Sequence, residues 1–97
     1  MSKWKDRTSY SRNEDLVSER VPRTWEIESP YLRIIVSRWI HGPGSWFLTC
    51  EAVECDRLDL NTDSAALAKT LALALVSARL TEMASSAAQM LKDEEAG

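Results

Sequence analysis

Few residues in this 97-residue sequence have the types and spacing that catalysis requires. Its one histidine, His41, stands beside the turn signal Gly42-Pro43-Gly44, where it could act as a general base or a metal ligand. The hydroxyl groups of Thr8, Ser9 and Ser11 have neither a Gly-x-Ser-x-Gly setting nor a histidine near them in sequence. With three glycines in the chain, there is no glycine-rich loop for a phosphate. We therefore predict that the protein is not an enzyme, that His41 is an ordinary turn residue and that no cofactor is bound.

Cysteines and acidic residues cluster between positions 50 and 59. Cys50 and Cys55 cannot complete a structural zinc site, because such a site needs more ligands than two thiols and one histidine supply. We interpret both as reduced structural thiols and predict no metal. The acidic residues of this segment are Glu51, Glu54, Asp56 and Asp59. They are spaced like paired carboxylates, but no basic or hydroxyl partner accompanies them, so we interpret them as a solvent-exposed acidic edge.

The segments on either side of the Gly-Pro-Gly turn, "YLRIIVSRWI" and "SWFLTCEAVE", predict a β-hairpin, since both are rich in β-branched and aromatic residues. A three-residue loop would place Ile40 opposite Trp46 and Val36 opposite Cys50. Side chains alternate between the two faces of a strand, so this register separates two apolar sets. The first face consists of Ile34, Val36, Ile40, Trp46, Leu48 and Cys50. The second face carries Ile35, Trp39, Phe47 and Val53.

A third strand and one long helix complete the predicted fold. The segment "TWEIES" alternates apolar and acidic side chains, as a half-buried strand does. Residues 61–63 offer helix caps, and an Ala- and Leu-rich helix then runs to about Lys92, with Ser85-Ser86 as the place for a bend. We predict an α+β fold, a three-stranded antiparallel β-meander with the C-terminal helix packed on the first hairpin face. This single domain spans residues 24–97 and follows an irregular N-terminal arm, residues 1–23.

The predicted helix carries more apolar surface than one sheet face can cover. Its apolar residues fall into two stripes at helical spacing. The first stripe consists of Leu67, Leu71, Ala74, Leu75 and Ala78. The second consists of Leu73, Val76, Leu80, Met83, Ala87 and Leu91. Together with the second hairpin face, these stripes predict a further covering surface, either the arm, docked through Trp4 or Tyr10, or another chain.

We predict that the second hairpin face and the acidic edge bind a partner, because aromatic residues are enriched at the centres of protein interfaces. The predicted binding residues are Trp39, Phe47, Ile35, Glu51, Glu54, Asp56 and Asp59. A homodimer, formed through the helix or through this sheet face, is a second form that the interaction can take.

The net charge of −3 is distributed unevenly. The arm carries six Lys and Arg against four acids, residues 24–60 carry three against six, and residues 61–97 carry three against five. A nucleic-acid-binding domain usually has a basic stripe, whereas the folded part of this chain is acidic. No segment has the apolar core of a signal peptide or the length of a membrane span. We therefore predict a cytoplasmic protein that does not contact the membrane.

The order strand, strand, strand, helix, with the helix opening at "NTDSAALA", resembles the topology of plant AP2 domains and integrase arm-binding domains. The resemblance extends over residues 24–80, and those families read DNA with the sheet. It implies a nucleic-acid-binding accessory protein as an alternative function. The residues that would contact nucleic acid are Arg33 and Arg38 on the sheet and Lys3, Lys5 and Arg7 in the arm.

The opening "MSKWKDRTSYS" and the run "TWEIESPYLRIIVSRWIHGPGSWFLTCE" are similar to small accessory proteins carried by bacteriophages and prophages. Some of those proteins inhibit host defence, and anti-CRISPR proteins are among them. The resemblance implies a small non-enzymatic protein that occludes a surface of a host protein or nucleoprotein complex in the bacterial cytoplasm. Inhibition of a defence complex is thus the leading expectation, nucleic-acid binding is the alternative, and an enzyme ranks third.

Overall fold

The computed structural model describes residues 3–8, 22–38 and 44–97. In these residues, five strands form one antiparallel sheet in the order β1-β2-β3-β4-β5, and one long helix follows. The strands are β1 Lys5–Asp6, β2 Thr24–Glu28, β3 Arg33–Arg38, β4 Trp46–Cys50 and β5 Cys55–Asp59. A 3₁₀ turn, Glu51–Val53, joins β4 to β5, and the helix α1 is Ala65–Ala96. The predicted α+β class is confirmed, whereas the predicted number of three strands is wrong.

The first additional strand, β1, lies in the segment that the sequence predicts as an irregular arm. It is two residues long and both side chains are exposed, so no apolar alternation marks it in the sequence. Its backbone pairs with β2, where Asp6 lies opposite Trp25. Trp4 is half-buried beside it and packs against the core, whereas Tyr10 lies outside the described residues. The beginning of the described chain therefore forms one edge of the sheet.

The second additional strand, β5, forms the opposite edge. Cys55 pairs with Cys50 and Leu58 pairs with Leu48, so two residues of β5 oppose one residue of β4 between these pairs. Arg57 lies in this bulge and has a φ of 52°, in the left-handed region. A bulge interrupts the alternation of side chains between the two faces. For this reason "CDRLD" does not show the pattern of a strand.

The β3–β4 hairpin has the predicted faces, but its pairing is shifted by two residues. Val36 lies opposite Leu48 and Arg38 lies opposite Trp46, whereas a three-residue loop would have paired Val36 with Cys50. A shift of two residues leaves every side chain on its face. The observed pairing brings the Arg38 guanidinium to 5.9 Å from the centroid of the Trp46 ring, within range of a cation–π contact. Of the predicted first face, all members but Ile40, which lies outside the described residues, are buried.

Helix α1 packs on this first face and then continues past the sheet. It is unbroken over 32 residues, with no interruption at Ser85-Ser86, and ends at Ala96 rather than near Lys92. Its cap is Ser64, one position after the predicted ones, and the Ser64 Oγ accepts a hydrogen bond from the Leu67 N–H at 3.2 Å. At ~1.5 Å per residue the helix is about 48 Å long, whereas the longest strand spans about 20 Å. All residues from 81 to 96 are consequently exposed.

The buried face of α1 overlaps both predicted stripes but is centred on neither. Its centre is a row of small side chains, Ala68, Ala72 and Val76. Larger residues flank this row and are partly buried against the core, namely Leu71, Leu75 and Leu80. Leu67 and Leu73, each assigned to a stripe, are largely exposed. Because small side chains let the helix axis come close to a sheet that already carries bulky residues, side-chain size decides which face packs.

Candidate functional site

The sheet face turned away from α1, here called the outer face, carries two residues of the predicted apolar patch. Ile35 of β3 and Phe47 of β4 lie on it, and both are half-buried. Ile35 pairs with Thr49 across the hairpin, and Ser37 pairs with Phe47. Polar and apolar side chains therefore alternate along this face. Trp39, the second aromatic residue predicted on this face, lies outside the described residues, and Val53, also predicted here, is instead buried in the core because the chain turns into the 3₁₀ segment after Cys50.

A groove opens at one end of the outer face, beside Tyr31. It has a volume of about 370 Å³. Ile35 and Thr49 line it, together with the charged side chains of Glu28, Arg33 and Glu51. The Tyr31 side chain, on its rim, is 90% exposed, more than any other large apolar side chain among the described residues. The structure thus brings two predicted binding residues, Ile35 and Glu51, together with an aromatic ring.

The turn between β2 and β3 determines the position of Tyr31. The Ser29 N–H donates to the Leu32 carbonyl at 2.8 Å. The Ser29 Oγ in turn accepts from the backbone N–H groups of Leu32 at 3.2 Å and Tyr31 at 3.4 Å. Pro30 fixes its own φ and so stiffens this short connection. The sequence interpretation did not include Tyr31, although Ser-Pro before an aromatic residue is a turn signal that places the ring on the surface.

The four predicted acidic residues lie along and beside the β5 edge, and all four are exposed. Glu51 begins the 3₁₀ turn, and Glu54 closes it with a φ of 57° and a hydrogen bond from its N–H to the Glu51 carbonyl. Asp56 and Asp59 lie on β5 itself. None of the four forms an ion pair with another described residue, so their negative charges face solvent. We call this set the acidic edge.

The cations of the alternative function are largely engaged within the protein. The Glu26 carboxylate, on the outer face, is only 7% exposed. The Arg33 Nε donates to its Oε2 at 2.9 Å, and the Arg7 Nε lies 3.6 Å from its Oε1. A buried carboxylate requires such partners, because desolvating an unpaired charge is costly. Both arginines therefore pair with Glu26 within the protein.

The remaining predicted cations are separated from one another. Arg38 lies on the sheet face that the helix covers, where its guanidinium stands over the Trp46 ring. Lys3 and Lys5 are exposed at the β1 edge, beside the acidic side chains of Glu26 and Glu28. The sheet consequently has a mixed edge at β1 and an acidic edge at β5. It does not present a continuous basic stripe over the described residues.

The two cysteines face each other across β4 and β5. Cys50 and Cys55 are directly paired, buried and present as free thiols. No group of three or more His, Cys, Asp or Glu side chains that could hold a metal ion occurs in the part of the chain that is described. His41 lies outside that part. The cysteines therefore contribute to packing between the strands.

Comparison of the chain with protein-family models, with curated proteins and with solved structures finds no match. Within the described ranges, α1 included, no helix has the length and apolar character needed to cross a membrane.

Proposed function

We propose that this protein is a small non-enzymatic binding protein of the phage type that recognises a basic surface on a protein or nucleoprotein partner and blocks or regulates it. The observation that carries the proposal is the position of Tyr31, which is almost fully exposed beside a groove lined by Ile35 and Glu51. Inhibition of a defence complex in the bacterial cytoplasm is the specific function, and the resemblance to phage accessory proteins supports it.

The chemistry of this surface favours a protein contact. Tyrosine supplies a large rigid contact area together with a hydroxyl group, which is why it is enriched at interface hot spots. The acidic edge adds long-range attraction toward a positively charged partner, an effect that appears mainly in the association rate. Complexes that handle nucleic acid have basic grooves, and the positive charge of such a groove is complementary to the negative charge of the acidic edge.

The same residues argue against direct nucleic-acid binding. Arg7 and Arg33 pair with Glu26, so contacts to phosphate would have to compete with that carboxylate. The acidic edge would repel a phosphate backbone that extended across the sheet. Because the affinity of such binding depends on the number of phosphates neutralised, the few remaining cations would give weak binding that falls steeply with salt.

The test begins with capture of a partner by the tagged protein from a host lysate, followed by mass spectrometry and purification of that partner. Association rates are then measured for the wild type, for Tyr31→Ser and for reversal of the acidic edge to lysine. We expect Tyr31→Ser to accelerate dissociation and the charge reversal to slow association about tenfold or more at low salt. Reversal of Glu82 and Glu95, exposed on α1, is the control for a change of charge away from the sheet, and per charge reversed it should have a much smaller effect.

Two results would contradict the proposal. Unchanged kinetics for both sheet variants would show that the outer face is not the binding surface. A micromolar or tighter shift of a random-sequence DNA duplex at physiological salt would instead favour the nucleic-acid-binding alternative. Circular dichroism of each variant, compared with the wild type, separates a loss of binding from a loss of folding.

A further inference from the structure

The end of α1 that projects beyond the sheet carries an apolar seam with coiled-coil spacing. Successive seam positions are separated alternately by three and four residues, the a and d pattern of a heptad. The seam consists of Leu73, Val76, Leu80, Met83, Ala87 and Met90. Val76 is buried by the sheet, but Met83 is 50% and Met90 71% exposed. The distal half of the seam therefore has no cover within the described residues.

The seam leads into an apolar groove where the helix leaves the sheet. This groove has a volume of about 410 Å³ and runs between the seam residues Leu73, Val76 and Leu80 on one side and Leu32 and Ile34 on the other. The last sixteen residues of the helix are all exposed, so propensity contributes most of what stabilises them, because most helical stability in proteins comes from packing of an apolar face. Seam and groove together form one continuous surface that a second helix would fill.

We propose that this surface binds a second copy of the same chain, with the two projecting helices antiparallel. The proposal goes beyond the function assigned to the outer face and does not depend on it. In an antiparallel pair related by a two-fold axis, Leu80 packs opposite Met90 of the second copy and Met83 packs opposite Ala87 of the second copy. The two central layers thus pair the large Met83 with the small Ala87, which is how layers interdigitate without gaps, and the layers on either side pair Leu80 with Met90.

The charges beside the seam agree with this register. Arg79 and Asp93 occupy g positions, which face each other across an antiparallel pair. In the register above, Arg79 lies opposite Asp93 of the second copy, and the two-fold axis repeats this opposite-charge pair at the other end. Between the two pairs, Ser86 lies opposite Ser86 of the second copy. On the other side of the seam, Ala84 lies opposite Ala84 of the second copy. Small side chains at the axis allow the helices to approach closely.

A parallel arrangement fits the same residues poorly. It would place Glu94, the next seam position after Met90, opposite its own copy, and like charges at that distance repel. It would also place Ala87 opposite Ala87, which leaves a gap in the seam, and it would offer Arg79 no acidic partner. The antiparallel arrangement further brings Leu91, 60% exposed, to the level of Ser77 in the apolar groove.

The contact is short, so the dimer is expected to be weak and concentration-dependent. The paired layers extend from residue 80 to residue 90, about 15 Å of helix, and interfaces of that size belong to the small, transient class. Sedimentation equilibrium of the full chain, over a range from about 1 to about 500 µM, measures such association because mass action populates the dimer at the upper end.

The decisive test is a charge exchange between two exposed positions. We expect Arg79→Asp alone, and Asp93→Arg alone, each to weaken the dimer about tenfold, because two favourable pairs become two like-charge contacts. The double variant restores both pairs in reversed order and should return the dissociation constant to near that of the wild type. Met83→Glu should abolish association, whereas the control Ala88→Glu, on the opposite side of the helix, should not.

Each other outcome overturns part of the proposal. A wild-type chain that stays monomeric throughout the range excludes the second copy as occupant of the seam. A dimer that survives Met83→Glu places the interface elsewhere, and a dimer that the double variant fails to restore excludes the antiparallel register. All substituted positions are exposed in the monomer, so circular dichroism should report unchanged folding. Partner binding that depends on Tyr31 should persist in the Met83→Glu variant, which separates this proposal from the function of the outer face.

Discussion

Replacement of Trp46 by alanine is expected to remove the side chain that ties the β3–β4 hairpin to the start of the helix. The Trp46 ring is 1% exposed, and its Nε1 donates to the Asp63 carbonyl at 3.1 Å, one residue before the helix cap. The backbone of Trp46 connects the same regions, since its N–H donates to the Thr62 carbonyl at 2.9 Å. The indole therefore fills the core and also orients the segment from which α1 begins.

The magnitude follows from these contacts. Truncation of a buried Phe or Trp to alanine costs about 3–5 kcal/mol, and an intramolecular hydrogen bond contributes about 1 kcal/mol net. We expect Trp46→Ala to lower the free energy of unfolding by about 4–6 kcal/mol, against a total of about 5–15 kcal/mol for a domain of this size. Trp46→Phe keeps most of the ring volume and loses the donor, so it should cost about 1–2 kcal/mol.

The assay is urea unfolding followed by far-ultraviolet circular dichroism, because other tryptophans would complicate a fluorescence signal. The double variant Trp39→Ser, Phe47→Ser, at the two aromatic positions that the sequence predicts on the opposite face, serves as the comparison and should remain folded. If this double variant unfolds while Trp46→Ala stays native, the assignment of the two faces is wrong. A cost below about 1 kcal/mol for Trp46→Ala would refute the core position of the indole, since even a modest cavity costs more than that.

Three further changes test the contacts around the sheet and the helix by the same urea assay. Arg33→Ala should lower the free energy of unfolding by about 1–3 kcal/mol, because it removes the closest partner of the buried Glu26 carboxylate; a variant as stable as the wild type would contradict the burial of that charge. Ser64→Ala should cost about 1 kcal/mol by leaving the Leu67 N–H uncapped, and Ser64→Asp, which can accept the same hydrogen bond, should recover most of it. Cys50→Ala should cost about 1 kcal/mol through a small cavity while partner binding is unchanged, and stoichiometric zinc in the purified protein would overturn the structural assignment of this thiol.

The sequence predicted the faces of the hairpin because alternation is a local property that survives an error in register. Val36 and Trp46 are buried as expected, although each pairs with a residue two positions away from its predicted partner. The edge strands could not be predicted in this way. β1 consists of two exposed residues, and the bulge at Arg57 removes the periodicity of β5. Both strands exist because their backbone groups pair with a neighbour, which a pattern of side chains does not record.

For the helix and the site, too, the sequence predicts local features but not those that depend on tertiary packing. The apolar periodicity predicted α1 correctly, but not that Ala68 and Ala72 would lie at the centre of its buried face, because closeness of approach depends on the shape of the opposing sheet. The acidic edge was predicted residue by residue and is exposed. Tyr31 was missed, since its exposure results from the turn at Ser29, and the pairing of Arg33 with Glu26 depends on two strands being neighbours.

The projection of α1 has a consequence for how the free energy of unfolding is distributed along the chain. The helix is one element by geometry, but its first half shares the burial of the core and its second half does not. Backbone amides near Ala72 can exchange their hydrogens only when the domain opens, whereas those beyond about residue 84 can exchange through fraying of the helix end. In the monomer, protection should therefore fall along the helix within about two turns past Leu80, the last side chain that the sheet partly covers. One continuous helix would then belong to two cooperative units, of which only the first is required for the fold.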